Sequence, residues 1–198
     1  MLPRLDIAKA IEAMQAGGSV VFPTETCFGI GCRAYDANAV DGIMRAKNRP
    51  QGKPLPVLLP DIEYLKNHGL ESPLFPLGVA FWPGPLTLVV PAFPGLPAQV
   101  TAGTHMVGVR VSAHPIAQAL VSGLGEPMVA TSANLTGEPA PASVEECDQA
   151  GLVGVAGLVP AEPVAGSAST VVGMIDGDLV IHRVGPIGED ALRRVWRP

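Results

Sequence analysis

Ser169-Thr170-Val171-Val172-Gly173-Met174-Ile175-Asp176-Gly177-Asp178-Leu179-Val180-Ile181-His182-Arg183 holds two apolar, β-branched runs on either side of an Asp-Gly pair. The runs predict strands over 169–174 and 179–183. Asp176-Gly177-Asp178 between them is a hairpin signal, because a tight hairpin turn needs positive φ, which Gly and Asp adopt with least strain. A hairpin is antiparallel, whereas the strands and helices upstream of it interleave, as they do around parallel strands. Together these features predict a mixed α/β sheet, of the α+β type, and not a purely parallel doubly wound one.

Working outward, Leu5, Ala8, Ile11 and Met14 fall at helical spacing and Gly17-Gly18 stops the run. Ser19-Val20-Val21-Phe22 is a buried strand cut by Pro23. Asp36 opens a helix with Ala39, Val40, Ile43 and Met44 on one face and Lys47 at its end. Leu55-Pro56-Val57-Leu58-Leu59 is a short strand in which Pro56, lacking an N–H, points to an edge or an irregular start. A helix over 73–82 and strands over 86–90 and 107–111 follow, then a helix over 115–124 and a strand over 128–130. Ser143 and Glu146 have capping-box spacing and open another helix. The last helix, over 189–195, is followed closely by Arg197, and its own Arg193 and Arg194 suit the negative C-terminal end. Without internal repeats or a long linker, residues 1–198 are expected to form a single domain.

The 198 residues carry 13 Lys+Arg against 18 Asp+Glu, a net charge of −5, and only 16% are charged, where about 25% is ordinary. Hydrophobic residues make up 47% but aromatics 5%, so the core must be aliphatic. Gly (23) and Pro (21) punctuate apolar runs without a period, which excludes collagen, coiled coil and a disordered tail. The acidic balance argues against a broad nucleic-acid-binding face but leaves room for one small basic site. No uncharged apolar stretch reaches the ~18 residues of a membrane span, and the N-terminus has no basic region ahead of an apolar signal core. Cys27, Cys32 and Cys147 show neither a disulfide framework nor paired zinc ligands. A reduced, cytoplasmic protein without membrane association is expected.

Four segments could carry chemistry. Pro23-Thr24-Glu25-Thr26-Cys27-Phe28-Gly29-Ile30-Gly31 follows a buried strand, at the edge where α/β proteins collect ligands; it reads equally as a Thr-rich turn with structural glycines. Lys47-Asn48-Arg49-Pro50-Gln51-Gly52-Lys53 places three cations at a helix end. They make either an anion site, with Arg as a planar fork and Lys as a point charge, or a solvated basic turn. Arg110 stands in an apolar strand and must face an acid, a ligand or solvent, because an unpaired buried guanidinium is costly. His114, before Pro115, reads as a helix cap. Thr131-Ser132-Ala133-Asn134-Leu135-Thr136-Gly137 offers hydroxyl and amide partners for carboxylate, ribose or phosphate oxygens, and is equally ordinary turn chemistry. The four histidines form no triad signature with Ser132, and no G-x-S-x-G elbow is present.

Pro23-Thr24-Glu25-Thr26, Lys47-x-Arg49-Pro50-x-x-Lys53-Pro54-Leu55, Trp82-Pro83-Gly84-Pro85-Leu86-Thr87, Val109-Arg110-Val111 with His114-Pro115, and Thr131-Ser132-Ala133-Asn134 occur in one order. This series, from about Gly18 to Arg183, resembles the YrdC-like threonylcarbamoyl-AMP synthase family, in its short form without a C-terminal regulatory domain. The resemblance implies a twisted mixed parallel and antiparallel sheet with flanking helices and a concave, positively charged cavity. It implies the synthesis of threonylcarbamoyl-AMP and pyrophosphate from L-threonine, bicarbonate and ATP. Protein partners of the tRNA threonylcarbamoyl-transfer machinery would then use the product. By similarity Lys47 and Arg49 would bind the triphosphate and carry catalysis, with Lys53 as a third cation. Arg110 and Thr24 would hold threonine, Ser132 and Asn134 the nucleotide, and Arg183 would lie near the phosphates. Mg2+ would arrive with ATP, held by its phosphates, and no protein-bound metal or organic cofactor is implied.

Departures from the family pattern are Met106 and Ala140 in place of hydroxyl residues, Thr136 for a serine, Gly173 for an acid, and Phe28 for a tyrosine. Two alternatives stand beside this reading. One is a diverged carbamoyl-handling paralogue of the same fold. The other is a non-catalytic RNA-binding module; the net charge and scarcity of aromatics limit it to weak RNA binding.

Overall fold

Two aspartates start the first long helices in the same way. The carboxylate of Asp6 accepts from Lys9 N (2.8 Å) ahead of α1 (Ile7–Gln15), and that of Asp36 accepts from Ala39 N (3.0 Å) ahead of α2 (Ala37–Ala46). Each satisfies a first-turn amide that has no partner inside its helix. Between these helices lie β1 (Val20–Pro23) and β2 (Phe28–Arg33). After α2 come β3 (Val57–Leu58), α3 (Glu63–Asn67), α4 (Phe75–Phe81), β4 (Leu86–Pro91), α5 (Ala98–Thr101), β5 (Met106–Arg110) and α6 (Pro115–Leu124). The chain continues through β6 (Met128–Ser132), α7 (Val144–Gln149), β7 (Gly157–Leu158), β8 (Thr170–Ile175), β9 (Asp178–Arg183) and α8 (Glu189–Val195). The computed structural model describes residues 1–197; Pro198, the last residue of the expected single domain, lies outside them. No helix among the described residues is long and apolar enough to cross a membrane.

The strands form one sheet in the order β7-β1-β2-β6-β3-β5-β4-β8-β9. The pairs β1–β7, β3–β5 and β4–β8 are parallel and the others antiparallel, so the sheet is mixed, as expected. The closing hairpin turns on Asp176 (φ 52°) and Gly177 (φ 87°), with Ile175 opposite Asp178. Two consecutive positive-φ residues match the twist of the strands they join.

Two readings of the sequence are corrected. The segment after Pro23 is not a turn throughout: Phe28–Arg33 returns beside β1 as β2, with Pro23 opposite Phe28 and Val20 opposite Gly31, so only residues 24–27 turn. Gly31 is required by a close approach, since a Cβ there would lie 2.4 Å from Val129 O and 2.8 Å from the Phe22 ring. Of the two options for the third strand, the irregular start holds and the edge does not. β3 lies between β5 and β6 at the centre of the sheet. Pro56 is tolerated because it precedes the two-residue strand and contributes only its carbonyl, which accepts from Ala130 N (2.9 Å).

Alternate strand residues serve different faces. Val20, Phe22, Leu58 and Met128 pack with Ala10 and Met14 of α1 and Ala117, Leu120 and Val121 of α6. Val21, Val57, Leu88, Val90, Val107, Val109, Val129 and Val172 join a larger core with Val40 and Ile43 of α2, Leu77 of α4 and Leu192 of α8. The intervening residues Thr87, Val89, Gly108, Arg110 and Val171 therefore share the face of α1 and α6. Those helices pack over the β1–β2 end of the sheet. Further along that face lies a cavity.

Candidate active site

The cavity holds about 580 Å³, a volume suited to a small-molecule ligand. Its floor is the sheet residues just named, with Leu58 and Ala130. Around it stand Thr24, Thr26 and Cys27 from the β1–β2 turn, Arg49 and Pro54 from the loop after α2, Ser132 from β6, and His182 and Arg183 from β9. Thr24, Arg49, Arg110, Ser132 and Arg183 are thus brought together in one cavity. Among the described residues, Lys47, Lys53 and Asn134 are not on this wall.

Arg110 is buried and answers to an acid on a distant segment. Its Nη2 lies 2.8 Å from Glu25 Oε1, and Thr26 Oγ1 accepts from both Nη1 (3.1 Å) and Nη2 (3.2 Å). Ser112 Oγ donates to the other carboxylate oxygen of Glu25 (2.5 Å) and accepts from His114 N (3.2 Å). Burial works to raise the Glu25 pKa, but Arg110 and the Ser112 hydrogen bond outweigh it and the carboxyl sits below its ordinary value. Thr24 Oγ1 donates to Cys27 O (2.7 Å), so the 2.8 Å contact between the two threonine hydroxyls is donated by Thr26. A chain of donors then runs from Arg110 through Thr26 and Thr24 to a backbone carbonyl. Arg110 Nε and Glu25 Oε1 make no hydrogen bond.

The other two cations on the wall have neutral partners. Arg183 donates from Nε to Ser169 O (2.9 Å) and from Nη2 to Ser169 Oγ (3.1 Å), and Thr87 Oγ1 lies 2.8 Å from that hydroxyl. The register between β8 and β9 shifts between Val171 and Val172, and such irregularities re-aim side chains. Arg49 donates to Lys53 O (3.3 Å) and Pro54 O (2.7 Å). Burial lowers the pKa of both arginines, and the charge of Arg110 adds to this at Arg183.

Lys47 has a different place from the one the resemblance implied. Its side chain is only 1% exposed, and its ammonium donates to Ser132 O, Asn134 O (2.5 Å) and Asn134 Oδ1 (3.4 Å). Asn134 in turn donates to Leu135 O (2.9 Å) and Glu138 O (2.6 Å). The pair fastens the loop that follows β6 and presents Ser132 to the cavity. Burial, reinforced by the charge of Arg49, brings the Lys47 pKa down to about 8. Lys53 is exposed and acts here through its carbonyl.

His114 is the helix cap expected of it, its Nδ1 accepting from Ile116 N (3.2 Å). Met106 and Ala140 line the cavity with apolar surface where the family pattern has hydroxyls. Gly173 makes room for a neighbour: a Cβ there would lie 2.6 Å from His182 Nε2. Phe28 is fully buried in the core, so its missing hydroxyl takes nothing from the wall. Glu25, Thr26, Thr87, Ser112 and Ser169 received no role from the sequence. For Glu25 a signal existed, since it is the acid of the first motif and Arg110 needs one.

The family described as telomere recombination, that of the Sua5, YciO and YrdC proteins, matches residues 12–185. The threonylcarbamoyl-AMP synthase of Bacillus subtilis is 38% identical over 97% of this chain and 57% of its own length. That of Alkalilimnicola ehrlichii is 41% identical over 69% of this chain and 72% of its own. The crystal structure of P. abyssi Sua5 complexed with L-threonine superposes with a TM-score of 0.89 at 33% identity, over 98% of this chain and 58% of that one. The chain therefore spans just over half the length of two of these relatives. The shared segment contains the whole sheet from β1 to β9 and every cation of the cavity wall, and on that ground the chain belongs to the Sua5/YciO/YrdC family.

Proposed function

We propose that the chain makes threonylcarbamoyl-AMP and pyrophosphate from L-threonine, bicarbonate and ATP. The observation that carries this reading is a single cavity with Arg110 held by Glu25 at one place and Arg49 and Arg183, on neutral partners, at others. The names of the relatives and the threonine bound to P. abyssi Sua5 support it.

In this reading the threonine amine adds to bicarbonate carbon with loss of water. The resulting carbamate oxygen attacks the α-phosphorus of ATP, and the bond to the β-phosphate oxygen breaks to release pyrophosphate. Both reactants are anionic, so the protein's work is alignment and neutralisation, and no protein nucleophile is needed. Arg110 takes the threonine carboxylate. The Thr24 hydroxyl is engaged with backbone, so Thr24 meets the substrate through its methyl group. Arg49 and Arg183 face the triphosphate, Ser132 meets the nucleotide, and Lys47 and Asn134 hold Ser132 in place. Lys53 shapes the Arg49 loop, and Mg2+ comes as part of the ATP substrate. The product would pass to protein partners that modify tRNA in the cytoplasm, with direct RNA contact weak at a net charge of −5.

Pyrophosphate release by the purified protein is expected only when threonine, bicarbonate and ATP are all present. Release that ignores threonine would overturn the assignment.

A further inference from the structure

Glu25 is a puzzling neighbour for an arginine that is to bind a carboxylate. It pairs with Arg110 but does not line the cavity, with its side chain 20% exposed and that of Arg110 9% exposed. A carboxylate at this distance cancels most of the field that would attract an anion to Arg110. Were anion binding the only requirement, neutral acceptors would serve better, and the same cavity shows them: Arg49 rests on Lys53 O and Pro54 O, and Arg183 on Ser169 O and Oγ. Among the described residues neither has a carboxylate within salt-bridge distance. The acid is also fixed where it is, since Ser112 donates to its second oxygen and that hydroxyl is itself held by His114 N.

We propose that Glu25 is a specificity-determining residue that keeps the Arg110 region close to electroneutral, so that it accepts a zwitterionic amino acid and turns away net anions, polyphosphates included. The proposal rests on the reading of Arg110 as the threonine carboxylate site. A zwitterion gains from Arg110 at its carboxylate and loses little to Glu25, because its ammonium offsets the repulsion. A net anion has no such offset and goes to Arg49 and Arg183 instead. One cavity thereby sorts two substrates by charge type, leaving the amino-acid place free when a polyanionic nucleotide is in excess.

The test compares L-threonine with 3-hydroxybutyrate, which is threonine without its amine, by calorimetry on the wild-type protein, Glu25→Gln and Glu25→Asp. The wild type is expected to favour threonine by at least about tenfold, as one unscreened unit charge in a partly buried site would give. Glu25→Asp keeps that gap. In Glu25→Gln the gap shrinks to within about threefold because 3-hydroxybutyrate binds more tightly, a gain that structural damage would not produce. Inorganic phosphate should likewise become a better competitor against threonine in Glu25→Gln. If that variant does not melt cooperatively, Glu25→Met, neutral and similar in volume, takes its place. Equal binding of the two ligands by the wild type, or a gap that persists in the neutral variant, overturns the filter. Threonine binding that survives Arg110→Ala unchanged, or is absent from the wild type, instead overturns the threonine reading, and the filter with it.

Discussion

Lys47 and Arg110 are both buried cations in a chain poor in charge, yet they are used in opposite ways. The Lys47 ammonium has three N–H groups and meets three oxygens, all from the 132–134 segment. Arg110 carries five N–H groups, shares one threonine hydroxyl between two of its nitrogens, faces one acid, and leaves Nε without an acceptor. A completed set of acceptors belongs to a cation that holds backbone in shape, whereas the set around Arg110, on the cavity wall, is incomplete.

The contrast breaks if the two residues respond alike to removal. Arg110→Ala is expected to lower threonine-dependent pyrophosphate release at least about 100-fold, about 3 kcal/mol or more, because it deletes a charge-assisted contact and leaves the half-buried Glu25 with Ser112 but without its cation. Arg110→Lys should rescue little, since an ammonium lacks the planar fork. Saturating threonine should recover part of the activity of Arg110→Lys but none in a Lys47 variant. Lys47→Ala is expected to lower kcat about tenfold or more with little change in the KM for threonine. It leaves Ser132 O and Asn134 O without a donor, at about 1–3 kcal/mol each, so the loop bearing Ser132 should also exchange its amide hydrogens faster. A selective rise in the KM for ATP, with the loop still protected, would instead put Lys47 on the triphosphate.

Titration sharpens the same comparison. In the folded protein Lys47 gives up its proton near pH 8, well below its ordinary 10.5, so the loss comes as pH rises through about 8. The neutral amine has two N–H groups for three oxygens and turns a lone pair toward one of them. The expected result is a basic limb in kcat with an apparent pKa of about 8, costing up to about tenfold. Lys47→Arg, whose guanidinium keeps its proton, should move that limb beyond the measurable range. A limb that stays near 8 in this variant belongs to another group.

How far the sequence reveals this arrangement depends on whether a feature is local. The 175–178 turn is legible because Asp-Gly encodes its own backbone geometry, and Asp36 and Ser143 announce their helices because a cap acts within four residues. β2 is not legible, because Gly29 and Gly31 read as loop residues when their cause is distant: the carbonyls of Thr131 and Val129 and the ring of Phe22 occupy the space of a side chain. β7, α3 and α5 are too short for any period to show. In the cavity, Arg110 and Arg183 stand out as isolated cations in apolar strands. The Glu25–Arg110 and Ser112–Glu25 contacts span 85 and 87 positions and exist only once the β1–β2 turn is folded over β5. Lys47 is legible as part of a motif, but its burial against Ser132 and Asn134 spans 85 and 87 positions and is not.

The smallest effect tests where the Arg110 assembly ends. His114 follows Ser112, the residue that steadies Glu25, but the two are linked through His114 N, which any side chain would supply. The imidazole has a separate task, with Nδ1 accepting from Ile116 N at the start of α6. His114→Ala should therefore cost about 1 kcal/mol of stability, the usual worth of a helix cap, while threonine affinity and turnover stay within about twofold of wild type. Burial lowers the His114 pKa, with Glu25 opposing, and a ring that accepts at Nδ1 must be neutral there. The cap's contribution is then fully present above the unfolded histidine value of about 6.5 and is lost as pH falls below it through the folded value. The stability difference between wild type and His114→Ala, measured by urea unfolding from pH 8 down to 5, should shrink accordingly. A loss of threonine affinity in His114→Ala at pH 8 would mean that the ring, and not only its backbone, belongs to the Glu25–Arg110 assembly.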